Sequence, residues 1–243
     1  MGHTRLVRLG ALAWIVGVVQ FFVVHLAVQS GWKTPPYSWA ANNISDLGNI
    51  HCGPWGDDRR YVCSPLHDWM NVSFVTGGVL ILAGVLLTTT VWPRTVLSWF
   101  VRLLLLATGG GWLVAGLAPA DVDENLHVVG AAFVIFTCGN LAMLLGGLLR
   151  PPAPIARTRW YAAAFGAAGL IAMVLFFGGH DLGLGPGGME RVTAYGVPVW
   201  TLITGITLLR TVRSDRQQPG TSLPGRSRRH PAGSAAAPSR AAR

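Results

Sequence analysis

Residues 65–92 read PLHDWMNVSFVTGGVLILAGVLLTTTVW, and from Trp69 to Trp92 no side chain is charged. A bilayer core is crossed by a helix of about 20 apolar residues. This stretch is long enough, and it is too uniformly apolar to be the one buried face of a soluble helix. Working outward, five more segments share its character: Leu6 to Val28, Val96 to Ala118, Leu126 to Leu149, Trp160 to Gly179 and Val192 to Val212. The pattern predicts an all-α membrane protein, a bundle of six transmembrane helices. The first segment lacks an Ala-x-Ala site after its long apolar run, so it reads as an uncleaved helix rather than a signal peptide.

Composition supports this reading. Of the 243 residues, 51% are hydrophobic and 12% are charged, and the mean hydropathy is +0.44. The net charge of +9 does not point to nucleic acid, because the arginines fall between apolar spans and in a basic tail, with no binding motif beside them. Arg5, Arg8, Arg94, Arg102, Arg150, Arg157, Arg159, Arg210 and Arg213 share one side. Only Lys33, Arg59, Arg60 and Arg191 lie on the other. Basic residues stay cytoplasmic, so a multi-pass protein of the cell membrane with both termini inside (N-in/C-in) is expected. Residues 1–213 form the expected transmembrane domain, with an outer loop at about 29–64. Residues 214–243, rich in Arg, Pro, Ser, Gly and Ala, are expected to be a disordered cytoplasmic tail. Membrane lipids are the expected partners. Small residues at Ala107, Gly111 and Ala115, and at Ala162 and Gly166, let helices approach closely. They serve packing within the chain or a homo-oligomer.

The chemistry-bearing residues gather on the outer side. Cys52 and Cys63 share the long loop, where an oxidising environment permits a disulfide. The same loop holds NNISDLGN (42–49), turn-forming residues that include Ser45 and Asp46 as a candidate nucleophile and its acid partner. Ser64 is a candidate N-cap for the second helix, and Asp121 for the fourth. His67, His127 and His180 lie near the outer ends of three helices, with Asp68, Asp121 and Asp181 close by. Imidazoles with a carboxylate are the donor set for zinc and a metal-activated water. Structural hydrogen bonding at the interface is the simpler account of each of them. Neither HExxH nor GxSxG is present.

The run NNISDLGN, then SPLHDWMN, then GLAPADVDENLHVVGAA resembles the bacterial integral-membrane family called domain of unknown function 998. The resemblance covers about Val7 to Val212. It implies a six-helix membrane protein and carries no catalytic residues with it. Three functions stay open: a metal-dependent hydrolase of lipid or lipid-linked substrates at the outer leaflet, a non-catalytic protein that organises lipids or partners, and a transporter. The last is disfavoured by the scarcity of charge at the helix centres, where Asn140 is the notable polar residue.

Overall fold

In a computed structural model, residues 2–149 and 158–217 are described. Helix α1 (Gly2–Gly31) leads into a loop that carries a 3₁₀ turn (Ser45–Gly48) and a two-stranded hairpin, β1 (Gly53–Trp55) and β2 (Arg60–Val62). Then come α2 (His67–Leu87), α3 (Val96–Leu117), α4 (Glu124–Val128), a π-helical stretch (Val129–Cys138), α5 (Gly139–Leu148), α6 (Arg159–Phe177), α7 (Gly185–Ala194) and α8 (Gly196–Gln217). Six helical spans are long and apolar enough to cross a membrane; α4 to α5 make one span and α7 with α8 another. The protein is a multi-pass membrane protein.

The spans close into a ring: α1 on α2, α2 on α3, α3 on the π stretch and α5, α5 on α6, α6 on α7, and α8 back on α1. Large apolar side chains also point outward, among them Val23 on α1, Val79 on α2, Leu103 on α3, Phe133 in the π stretch and Ile171 on α6. In water this surface would be a liability; in lipid it is the required one. Inside the ring, one apolar cluster centres on Trp14, Val85, Leu105 and Trp200. A second, nearer the 32–66 loop, centres on Phe21, Met70, Phe74, Trp112 and Phe136. Gly84 makes the first cluster possible: a Cβ there would lie 2.0 Å from Trp14 Nε1, so only glycine lets the indole pass between α1 and α2.

Several local expectations need correction. Ser64 does not cap α2; its hydroxyl donates to the Leu47 carbonyl (2.7 Å) and fastens the loop instead. Asp123, not Asp121, caps α4, accepting from the Leu126 amide at 3.0 Å. The last span starts earlier than Val192, at Gly185, and is broken at Tyr195 between α7 and α8. Pro198, with no amide hydrogen, follows the break. Helix α8 continues through residues 214–217; the rest of the expected tail lies outside the described residues. The small-residue faces are used within the chain. Gly111 abuts Gly130 and Ile135 of the fourth span, and Gly166 abuts Asn140 and Leu144. An oligomer through those faces would have to displace the chain's own helices.

Candidate functional site

The loop after α1 folds back over one end of the ring, and NNISDLGN is fastened there from several directions. Asp46 is fully buried. Its Oδ2 accepts from Asn42 Nδ2 (3.1 Å) and the Asn43 amide (3.0 Å). Arg60 of β2 adds a two-pronged ion pair, Nε to Oδ2 at 2.8 Å and Nη2 to Oδ1 at 2.6 Å. This planar fork is the geometry that makes arginine–carboxylate pairs strong. Burial works against the Arg60 charge, but hydrogen bonds and attraction from Asp46, then Asp58, more than offset it and hold its pKa above the ordinary guanidinium value. A disulfide between Cys52 and Cys63 closes the hairpin just beyond the Gly53–Val62 pair, fixing the strand from which Arg60 reaches in. Asn71 of α2 donates to the Gly48 carbonyl at 2.9 Å.

The other side of the loop is held by α7. The Ile44 amide donates a short hydrogen bond to Glu190 Oε2. Arg191 Nη1 donates to the carbonyls of Trp39 (2.9 Å), Asn42 (2.9 Å) and Gly187 (2.6 Å), and Nη2 donates to the Tyr37 hydroxyl. The guanidinium also lies 4.8 Å from the Trp39 ring centre and 5.6 Å from that of Tyr37, a cation–π arrangement. Burial, opposed by Arg191 and reinforced by nearby acids, raises the Tyr37 phenol above its usual pKa. The loop can come this close because of Gly187: a Cβ there would sit 2.1 Å from the Asn42 carbonyl oxygen. Beside this region His25 of α1 is fully buried, and neither ring nitrogen has a hydrogen-bond partner among the described residues.

Two spaces open beneath the fastened loop. The first is a small, partly open cavity of about 30 Å³. Its walls are largely aromatic (Phe21, Phe74, Trp112, Phe136), and Ser45, His127, Glu190 and Tyr195 also line it. The second is a cleft of about 460 Å³ between α6 and the α7–α8 span. Phe165, Ala168, Val192 and Val199 make it apolar, while Trp39 and Arg191 lie at its loop end. Tyr195 borders both spaces.

The residues expected to hold zinc are not gathered. Among the described residues, no group of three or more His, Cys, Asp or Glu is placed to hold a metal ion. His127 is buried against the cavity, with Nδ1 2.8 Å from the Ala118 carbonyl. His67 has Nδ1 on the Ser64 carbonyl (2.9 Å) and Nε2 3.4 Å from the exposed Asp68. His180 is exposed in the α6–α7 connection beside Asp181, whose Oδ1 caps the Gly183 amide. Asp121 faces the loop, accepting from the His51 amide at 2.6 Å, with His51 Nδ1 3.0 Å away. His67 and His127 are engaged locally, His180 is exposed, and the three lie at separate helix ends. The Ser45–Asp46 pairing is corrected as well: Asp46 is turned into the loop and engaged by Arg60, whereas Ser45 borders the cavity with His127 and Glu190.

Residue type alone does not single out Arg60, Tyr37 or Tyr195. Glu190 and Arg191 did leave a signal: adjacent ionisable residues at the edge of an apolar span are costly in lipid unless they are used. The fold and site thus define a helical membrane protein with a latched loop, a small aromatic cavity and a lateral apolar cleft. The chain belongs to the family described as protein of unknown function (DUF998), whose model matches residues 15–207. Over 141 residues, 55% of this chain, it is 34% identical to a lysylphosphatidylglycerol biosynthesis bifunctional protein, LysX, of Mycobacterium sp. (strain KMS). The chain spans 12% of that relative's length. No solved structure matches it.

Proposed function

We propose that this protein binds a membrane lipid, without catalysis, in the cleft between α6 and the α7–α8 span. The cleft carries the reading. At about 460 Å³ it falls within the range of about 300–1,000 Å³ typical of small-molecule sites. Its lining is apolar along the spans and polar at one end, which matches an acyl chain below and a headgroup above. Helix α6 supports an opening towards lipid, since only 22% of its span is buried, the smallest share of the six. The relative named for lysylphosphatidylglycerol biosynthesis agrees with a lipid ligand.

In this reading the protein sits in the cell membrane with both termini cytoplasmic, and the loop face is extracytoplasmic. The arginine distribution supports that orientation. So does the Cys52–Cys63 disulfide on the loop face, because such bonds persist outside the cytosol. The bound lipid then belongs to the outer leaflet.

The test is mass spectrometry of lipid retained by protein purified in mild detergent. Ala168 is exposed and lines the cleft, so Ala168→Trp fills the space without entering the core. Wild type is expected to retain lipid, and Ala168→Trp to lose most of it while melting normally. Equal retention by the two proteins would defeat the proposal.

A further inference from the structure

Glu190 is 6% exposed, and only one of its two carboxylate oxygens is engaged. Among the described residues Oε1 has no hydrogen-bond partner, and no Lys, Arg or His lies within ion-pair distance of the carboxylate. The adjacent Arg191 makes no ion pair with it: its guanidinium is directed at three carbonyls and the Tyr37 hydroxyl, so its charge, like that of Arg60, reaches the carboxylate only through space. A carboxylate so buried calls for a proton or a cation. The space it borders suits a cation. The rings of Phe21 and Trp112 stand edge to face at 4.9 Å, and those of Phe74 and Trp112 at 5.6 Å. All three residues line the cavity and make its wall largely aromatic, the kind of surroundings in which a cation is favoured when it meets a ring face.

We infer that this cavity seats the primary ammonium group of a phospholipid headgroup, an inference that rests on the lipid-binding reading of the cleft. Size selects the group. About 30 Å³ holds one or two waters, and a primary ammonium is water-sized, whereas a trimethylammonium is not. Such an ammonium brings three donors. Glu190 Oε1 takes one, the Ser45 hydroxyl a second, and the aromatic walls face the third. Depth agrees as well: Glu190 lies in the first two turns of the span Gly185–Val212, at the loop end, where headgroups sit. Tyr195 borders both the cavity and the cleft, which sets the acyl-chain site and the ammonium seat against a shared residue.

The experiment compares lipids retained by protein reconstituted in nanodiscs made from equal parts phosphatidylethanolamine and phosphatidylcholine with matched acyl chains. Wild type is expected to enrich the ethanolamine lipid several-fold over the bulk ratio. Glu190→Gln keeps an oxygen acceptor for the Ile44 amide, so the loop stays latched; its enrichment is expected to vanish while total bound lipid is unchanged. Ala131→Leu, which fills the cavity from the π stretch, should do the same without altering the carboxylate. No enrichment by wild type, or undiminished enrichment by Glu190→Gln, overturns the inference and leaves the cleft reading standing. Absence of any retained lipid overturns both. A parallel melt with methylammonium and tetramethylammonium chlorides separates the sources: stabilisation by methylammonium without lipid enrichment assigns the seat to free amines and overturns the headgroup assignment.

Discussion

Arg60 grips two carboxylates in very different surroundings, and this gives the sharpest test of the latched loop. The Asp46 side chain is fully buried, whereas that of Asp58 is 49% exposed. Removing one partner of a buried pair costs about 3–5 kcal/mol, because the other charge is left without compensation. Asn42 and the Asn43 amide continue to donate to Asp46 in Arg60→Ala, which places the expected cost near the lower bound, about 3 kcal/mol. At about 1.4 kcal/mol per decade, the population of the open loop rises roughly a hundredfold. Asp58→Ala removes only the exposed bridge and should cost less than about 1 kcal/mol. Limited trypsinolysis reads this, since Lys33 and Arg59 are exposed in the loop and the backbone around them must open locally to fit a protease site. When closing outpaces cleavage, the cutting rate follows the open population. Equal cutting rates for wild type and Arg60→Ala, or equal effects of Arg60→Ala and Asp58→Ala, would refute the claim that Asp46 is a buried anchor.

Three further outcomes are expected. Reducing the Cys52–Cys63 disulfide, whose cysteines are 11 residues apart, should destabilise the loop by about 3 kcal/mol on the chain-entropy argument, seen as faster trypsin cutting under dithiothreitol. Asn140 Nδ2 bridges α5 to the Thr193 carbonyl of α7 at 2.9 Å, and Asn140→Leu should cost about 0.6–1.7 kcal/mol in a detergent unfolding titration, the span found for hydrogen bonds between membrane helices. Tyr37 supplies a pH dependence. Its phenol is held neutral, with a folded pKa above the unfolded value, so the stabilisation is complete below about pH 10 and declines as pH rises beyond it. Melting in that alkaline range should fall less steeply in Tyr37→Phe than in wild type.

The spans were legible because lipid imposes a simple requirement, length without charge, and 65–92 meets it openly. The winding of the fourth span was not. Val129–Cys138 is as apolar as any α-helical stretch, and its π geometry shows only where Gly130 packs on Gly111 and Ala131, Ile135 and Phe136 line the cavity. The histidines were conspicuous as metal-binding types, yet their positions were set by local needs such as the Ala118 carbonyl for His127. Asp46 shows the difficulty from the other side. Its partner Arg60 arrives through a hairpin flanked by the disulfide, and no spacing rule connects the two. Glu190 and Arg191 were visible as charges at a span edge, but what they hold lies at the opposite end of the chain.

That separation bears on how the protein is made. Ile44 and Glu190 are 146 positions apart, and Tyr37 and Arg191 are 154 apart. Chains emerge from the ribosome amino end first, so the Ile44 amide and the carbonyls of Trp39 and Asn42 must wait for Glu190 and Arg191 until the final hydrophobic segment has entered the bilayer. A nascent chain stopped between Phe177 and Gly187 would carry five inserted helices and an incompletely latched crown, a state a quality-control protease can tell from the finished molecule.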